Sequence, residues 1–356
     1  MRGDMAILVL GGAGYIGSHT ARALRRSGYE VVLYDNLCTG FRRLAQGFEL
    51  VEGDIADAAT LRPVLARVDA VMHFAAHAYV GESVDNPRKY FSNNVLGGLR
   101  LLNSVLDAGI RRMVFSSTCA VYGVPERLPI TERAHRDPVN PYGASKLFFE
   151  NALEAYAHAY GLRSVRLRYF NAAGADESGE IGELHDPETH LIPLALAAAS
   201  EGGAELQVHG CDYPTPDGTC VRDYIHVCDL ADAHVRALQY LEGSGDEKSG
   251  DRQGGDSVAV NLGTGRGHSV LEVIQAVESA SGRPVRRRMA GRRPGDPPVL
   301  VADPAKARSV LRWTAQRSFA EIVSSAWRWR NKMESSVWGD GRVLLEGAEV
   351  RKICNW

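Results

Sequence analysis

Tyr142 and Lys146 lie four residues apart in the run Asn140-Pro141-Tyr142-Gly143-Ala144-Ser145-Lys146. Proline suits the first turn of a helix, where a missing N–H leaves no bond unmade. On such a helix, residues at this spacing share a face, so an ammonium stands beside a phenol. A nearby positive charge favours the phenolate and lowers the tyrosine pKa from about 10 toward the working range of a general base. The spacing alone also fits a surface tyrosine beside a solvated lysine, and only the setting separates the two. Upstream, Phe115-Ser116-Ser117-Thr118 ends an apolar run in hydroxyl side chains.

A second constellation opens the chain. Gly11-Gly12-Ala13-Gly14-Tyr15-Ile16-Gly17 carries glycine at positions 11, 14 and 17 and follows the apolar run Ala6–Leu10. Glycines at this spacing permit a tight turn, close approach of backbone to a pyrophosphate, and close helix–strand packing. The helix that follows presents free N–H groups and its positive dipole end to the phosphates. A plain glycine-rich turn is the alternative. The next apolar run ends at Asp35, 18 residues after Gly17. A carboxylate there binds ribose hydroxyls and repels a 2′-phosphate, so the expected cofactor is NAD rather than NADP. Gly53-Asp54-Ile55 and Phe74-Ala75-Ala76 close two further apolar runs. Asp54 could equally cap the segment after it.

These residues need a frame. Strands are predicted over Ala6–Leu10, Val31–Tyr34, Leu50–Glu52, Ala70–Phe74, Met113–Ser116 and Ser164–Tyr169. Their continuous apolar character suits parallel strands buried on both faces. Helices are predicted over Ile16–Ser27, Thr60–Arg67, Pro87–Ala108 and Tyr142–Tyr160, with Gly28 and Gly109 at helix C-termini. The alternation gives an α/β fold, a doubly wound, mostly parallel sheet with right-handed crossovers. The functional runs all end strands, and ligands of open α/β sheets bind at the carboxyl edge. Beyond about residue 175 the pattern loosens. Helices are expected over Leu191–Glu201 and Asp229–Leu241, and strands over Glu205–Val208 and Val258–Leu262. The polar, glycine-rich stretch from Gly243 to Asp256 reads as an exposed mobile loop. Residues 331–356 read as a poorly ordered tail.

Bulk properties narrow the function. The chain has 356 residues, 45% hydrophobic and 24% charged, with net charge -2. That is ordinary for a soluble enzyme and offers nothing to nucleic acid or a membrane surface. Arg286, Arg287, Arg288, Arg292 and Arg293 could still form a local anion site. No apolar stretch reaches the roughly 20 residues of a membrane span. The N-terminus lacks signal-peptide organisation, so the expected location is cytoplasmic. Six irregularly spaced cysteines form no CxxC pair or CxxH cluster, so zinc is not expected and the thiols read as reduced.

Together, GGAGYIG, DNL, VEGDI, HFAA, VGESV, FSST, NPYGASK, RYFNAAGA and DGTCVRDYIHVCDLADAH resemble the extended short-chain dehydrogenase/reductase superfamily, and within it the UDP-glucose 4-epimerase family of NAD-dependent enzymes. The similarity runs from about Ala6 to Trp329. It implies a Rossmann domain over 1–178, joined again by about 223–262, and a smaller α/β nucleotide-sugar domain from 179–222 and 263–330. It implies that Tyr142 takes the proton of the sugar 4-hydroxyl while NAD takes hydride from C4, giving a 4-keto sugar to which hydride returns on the other face. Lys146 would lower the phenol pKa and hold the nicotinamide ribose. Thr118 would hydrogen-bond the 4-oxygen, where serine is frequent in the family. Gly11, Gly14, Tyr15, Ile16, Gly17, Asp35, Asn36, Asp54, Ile55, Phe74, Ala75, Ala76 and Asn93 would line the cofactor, Asn93 on resemblance alone. Asn171, His190, Leu191, His209, Arg222, Arg293, Asp296 and Leu300 would meet the UDP-sugar, with the two arginines on the diphosphate. Related dehydratases place an acidic pair after the threonine; Cys119-Ala120 stand here, so dehydration is disfavoured.

The sequence departs from the family at Ala78, a lysine in some members, and at His209, which replaces an aromatic that stacks on uracil. Leu300 falls where tyrosine closes the sugar pocket to N-acetyl groups and small residues open it. UDP-N-acetylglucosamine 4-epimerase and UDP-arabinose/UDP-xylose 4-epimerase are therefore alternative readings. A non-catalytic NAD-binding regulatory protein is a third, from a class that typically loses the tyrosine or lysine. The resemblance also implies a homodimer packed through Pro87–Ala108 and Tyr142–Tyr160.

Overall fold

The structure is a computed structural model that describes residues 5–243, 256–293 and 296–337. In chain order the first half comprises β1 (Ala6–Leu10), α1 (Tyr15–Arg26), β2 (Glu30–Asp35), β3 (Glu49–Glu52), α2 (Ala58–Leu65), β4 (Ala70–His73), α3 (Val80–Asp85), α4 (Pro87–Tyr90), α5 (Gly98–Asp107), β5 (Arg112–Thr118), α6 (Pro141–Tyr160) and β6 (Arg163–Tyr169). The second half comprises β7 (Asn171–Ala173), α7 (Leu191–Ala199), β8 (Leu206–His209), β9 (Val221–His226), α8 (Val227–Gly243), β10 (Ser257–Leu262), β11 (Gly267–Ser269), α9 (Val270–Ser281), β12 (Arg287–Ala290), β13 (Val299–Leu300), α10 (Ala305–Leu311) and α11 (Phe319–Val337).

Seven strands form one sheet in the order β10-β6-β5-β4-β1-β2-β3, and every pairing in it is parallel. Side chains alternate across it, as strand geometry requires. Ile7 and Val9 of β1 enter a core with Leu24, Leu230, Leu238 and Leu311 from α1, α8 and α10. Leu8 and Leu10 enter the opposite core with Leu61, Leu101, Phe149 and Leu153 from α2, α5 and α6. Both faces are covered, which is why these strands read as unbroken apolar runs. The predicted doubly wound sheet is therefore present. Its chain reverses direction between β1 and β4, the position at which such sheets open a ligand crevice.

A second layer carries β9 flanked by β7, β11 and β13, and β8 paired in parallel with β12. Helices α7, α9 and α11 pack on these strands around Leu196, Val208, Ile274 and Ile322. Over 223–262, β10 pairs with β6 at the edge of the large sheet, α8 packs on α1, and β9 lies in the small sheet. Val221 and Arg222 of β9 pair with Val299 and Leu300 of β13, partners 78 residues further on that strand period alone does not reveal.

Three local differences have physical causes. Asp57 caps α2 by accepting from Ala59 N and Thr60 N, which starts the helix ahead of the predicted Thr60. The predicted helix Pro87–Ala108 is interrupted by a π-helical segment, Phe91–Gly97, and is preceded by the unpredicted α3. The expected poorly ordered tail does not begin at Asn331, because α11 continues to Val337. Arg330 pairs with Glu334, its Nε donates to Ser200 Oγ, and Lys332 donates to the Ser178 carbonyl, so partners outside the helix hold its last turns. Residues 338–356 and most of the predicted loop 243–256 lie outside the described residues.

Candidate active site

The glycine turn leaves β1 at Gly11, whose φ of +78° is natural only to glycine. A Cβ there would stand 2.6 Å from Ala75 N, and a Cβ on Gly17 would stand 2.2 Å from Gly11 O. These positions must be bare for β1, β4 and α1 to meet. Gly14 precedes α1 without any side-chain cap on that helix, which leaves first-turn amides available to an anion. Tyr15 is buried and donates from its hydroxyl to the Gly174 carbonyl at 2.7 Å, tying the turn to the segment after β7. Ile16 packs partly buried beside it.

Asp35, buried at the end of β2, accepts from Ala13 N at 2.9 Å and Leu37 N at 2.8 Å. Burial raises its pKa, and these amides counter the rise. A fixed carboxylate beside a glycine turn and uncapped helix amides fits the ribose and phosphates of a dinucleotide. Asn36 donates to Asp54 at 2.9 Å, and Asp54 also accepts from Ala56 N at 2.8 Å. Asp54 thus serves its own turn, the alternative left open by the sequence, while still facing this edge. The Ile55 side chain lies in the core, so only its backbone is available to a ligand. The Phe74 ring lies tilted by 40° against His234 with centroids 4.8 Å apart, Ala75 backs Gly11, and Ala76 follows half-buried. Asn93 is half-buried and donates to Asn94. The buried member of this pair is Asn94, which holds His77 N and O and donates to Ser145 Oγ at 3.0 Å.

Asn140 caps α6 by accepting from Gly143 N, and Pro141 occupies its first turn, as the sequence predicts. Tyr142 and Thr118 are both buried at the ends of adjacent elements. The expected lowering of the phenol pKa by Lys146 does not appear. Burial pushes the Tyr142 hydroxyl well above 10, Tyr169 adds to the rise, and Thr118 opposes it. Lys146 Nζ instead donates to the Ser116 carbonyl at 2.8 Å and lies 4.9 Å from the centre of the Phe115 ring. Burial pulls the ammonium down to about 7, against the attraction of Glu150.

Sequence reasoning missed the group behind this pair. Glu150, one turn after Lys146 on α6, is fully buried. It accepts from Ser117 Oγ at 2.5 Å and from Arg168 Nε at 2.8 Å. Burial raises its pKa, but Arg168, Ser117 and Arg166 more than reverse this and keep it ionised. Arg168 also donates to the Tyr122 hydroxyl at 2.9 Å, which donates to Asn261 at 2.6 Å. A charged residue on the buried face of α6 was the available signal.

On the small sheet, Arg222 pairs with Asp296 at 2.5 Å and donates to the Val221 carbonyl at 2.9 Å. Cys119, next to Thr118, feels the Arg222 charge. Leu300, Cys119 and Leu147 each pack against the apolar cluster of Val121, Tyr122, Ile130, Phe170 and Ala302. Leu300 and Cys119 thus border one apolar cluster just beyond the carboxyl end of β5. Asn171 lies in β7 opposite Tyr224 of β9, His190 precedes α7, and Leu191 begins it. His209 ends β8 with Nδ1 3.3 Å from the Gly291 carbonyl. Arg293 is exposed and forms no ion pair among the described residues. Of the arginines that could form a local anion site, Arg286 donates to the Gly203 carbonyl, Arg287 faces Glu278, Arg288 faces Glu205 and Arg292 pairs with Asp212.

A doubly wound parallel sheet whose glycine turn, buried carboxylate and Thr/Tyr/Lys group share one edge defines a class: a dinucleotide-dependent enzyme that moves a proton at a substrate hydroxyl. Residues 7–249 match the model of the NAD dependent epimerase/dehydratase family. The chain is 52% identical over 328 residues to a UDP-glucose 4-epimerase of Rhizobium meliloti (strain 1021), covering 92% of this chain and 97% of the relative. Its structure matches that of UDP-glucose 4-epimerase from Brucella ovis in complex with NAD, with 51% identity, a TM-score of 0.85, and coverage of 91% and 97% of the two chains. It also matches a UDP-glucose-4-epimerase from Stenotrophomonas maltophila with bound NAD and formylated UDP-arabinopyranose, at 41% identity, TM-score 0.87, and coverage of 93% and 99%. The protein belongs to the NAD dependent epimerase/dehydratase family, and its cofactor is NAD.

Proposed function

We propose that the protein is a UDP-glucose 4-epimerase, interconverting UDP-galactose and UDP-glucose. The observation that carries this reading is the buried Thr118–Tyr142 pair on the scaffold of relatives that bear this name, with Cys119-Ala120 where dehydration would need an acid. NAD, when bound, supplies a positively charged nicotinamide ring that accepts and returns hydride at C4. Gly11, Gly14, Tyr15, Ile16, Gly17, Asp35, Asn36, Asp54, Phe74, Ala75, Ala76 and Asn93, with the Ile55 backbone, would hold the cofactor. Tyr142 accepts the proton of the 4-hydroxyl and later returns it. Thr118 orients the 4-oxygen, and Lys146 holds the nicotinamide ribose. Arg222 and Arg293 grip the diphosphate, which requires Arg222 to share or exchange its Asp296 partner. Asp296 binds the uridine ribose, His209 the uracil, and Asn171, His190 and Leu191 the remaining nucleotide-sugar surface.

This reading divides the chain into a cofactor unit, 1–178 with 223–262 returning to it, and a nucleotide-sugar unit, 179–222 with 263–330. It includes a homodimer: Phe91 and Leu96 before α5 and Phe148 and Tyr160 on α6 are large apolar residues left exposed. Such patches mark interfaces. Incubation of purified protein with UDP-galactose, without added NAD, is expected to yield UDP-glucose. Protein that retains NAD but equilibrates no UDP-hexose, even at high enzyme concentration, would overturn the proposal. Parallel assays with UDP-N-acetylgalactosamine and UDP-arabinose separate the alternative sugars.

A further inference from the structure

Between β7 and α7, four metal-capable side chains converge: Glu183, His185, Glu188 and His190. One ligand atom from each lies within 4.8 Å of all the others. His185 Nδ1 is 3.5 Å from Glu183 Oε1 and 3.4 Å from Glu188 Oε2, yet it is buried and makes no hydrogen bond. His190 Nδ1 contacts the same Glu183 oxygen. Hydrogen bonding therefore satisfies only one of the two imidazoles that face Glu183.

The spacing of the His185 imidazole from its two carboxylate neighbours has a specific meaning. Zinc binds imidazole nitrogen and carboxylate oxygen at about 2.0–2.2 Å in tetrahedral geometry, which sets neighbouring ligand atoms about 3.3–3.5 Å apart. Both His185 separations fall at that edge length, too long for an ordinary hydrogen bond, whereas the His190–Glu183 contact is closer and must open to admit the ion. Two imidazoles and two carboxylates also form a donor set suited to zinc, and they would hold it with no excess charge.

The surroundings fix the ligands, as supporting contacts around metal sites do. Glu188 Oε1 accepts from Thr189 N and His190 N, both at 2.8 Å, which leaves Oε2 turned to His185. The Glu183 carbonyl accepts from Trp329 Nε1 at 2.9 Å. The rings of Tyr15 and Tyr79 meet His185 edge-on at 6.1 Å and 6.0 Å. The Tyr79 hydroxyl is buried without a hydrogen-bond partner. The cluster thus joins the start of α1, the start of α7 and the middle of α11.

We propose that Glu183, His185, Glu188 and His190 form a zinc site that clamps the segment before α7 to the glycine-turn helix α1, with His190 meeting the ion through Nδ1 and keeping its other ring nitrogen for the nucleotide-sugar. The proposal rests on this geometry and not on the epimerase assignment. Untagged protein, stripped with EDTA and dialysed, is titrated with zinc against a chromophoric chelator, and its melting temperature is followed in parallel. The expected result is one tightly held zinc per chain and a raised melting temperature. His185→Gln and Glu188→Gln should each weaken zinc binding at least about tenfold and lose the thermal shift. His135→Gln, an exposed control, should behave as the parent. Far-UV circular dichroism and retained NAD identify folded variants. Absence of a stoichiometric site in the parent overturns the proposal, as does parental zinc affinity in both folded ligand variants.

Discussion

In the proposed mechanism Tyr142 must be deprotonated before it can take the proton of the substrate, yet its buried position favours the protonated phenol. Lys146 is turned to the Ser116 carbonyl, so the charge that lowers the phenol pKa is not supplied by the lysine in this arrangement. NAD, when bound at the edge that holds Asp35 and Tyr142, would supply a positive charge that lowers that pKa. Removing the phenol removes general acid–base catalysis, an effect of about 10²–10⁴ in rate. Tyr142→Phe is therefore expected to lose turnover on that scale while retaining NAD, read by cofactor absorbance in the purified protein. At Leu300 the question is sugar size. Leu300, like Cys119 next to Thr118, packs against the cluster that holds Tyr122 and Phe170. Leu300→Tyr should lower the ratio of kcat/KM for UDP-N-acetylgalactosamine to that for UDP-galactose by about tenfold or more. An unchanged ratio would remove Leu300 from the sugar pocket.

At the scale of elements, the site depends on where strands and helices end. β1 reaches the edge through a turn in which Gly17 leaves no room for a methyl group against the Gly11 carbonyl. Gly17→Ala must push α1 from β1 and move the first-turn amides. It is expected to purify without NAD and to melt below the parent, and a holoprotein of normal melting temperature would contradict this. The π-helical segment before α5 exerts comparable control. It supplies Asn94, whose amide links the residues after β4 to Ser145 on α6. That link joins the cofactor edge to the helix that carries Tyr142 and Lys146.

For the whole molecule, burial of histidine sets the response to acid. His19, His226 and His234 are pushed down to about 4 and His73 to about 3, in each case chiefly by burial. Their folded pKa values lie below the unfolded value of about 6.5. Below that value the unfolded chain binds more protons than the folded one, so stability falls as pH drops from about 6.5 toward 4. Each histidine contributes up to about 1.4 kcal/mol per pH unit. The urea midpoint should therefore drop steeply between pH 7 and 5.5, and His234→Gln should reduce that slope. Lys146 acts at the other end. Its folded pKa, about 7, is below its ordinary value, so its contribution to stability rises with pH from about 7 toward 10.5.

Much of the molecule was legible in the chain because it rests on local rules. Unbroken apolar runs alternating with helical stretches, Asn140-Pro141 at a helix start and the glycine turn placed the large sheet and the edge that carries Asp35, Thr118 and Tyr142. Those features act within a few residues, so the sequence states them directly. The small sheet was less legible, since β9 takes partners from β7, β11 and β13 across long stretches of chain. Electrostatics was not legible at all. Spacing put Lys146 beside Tyr142, but burial and the Ser116 carbonyl decide where its charge points, and Glu150 is ionised because Arg168 arrives from another strand. The same reason hid the cluster of Glu183, His185, Glu188 and His190. Cysteine spacing gave no sign of zinc, whereas the fold of one irregular segment aims four side chains at a single point. Pattern fixes which face a residue occupies, and only three-dimensional packing fixes its dielectric surroundings and its partners.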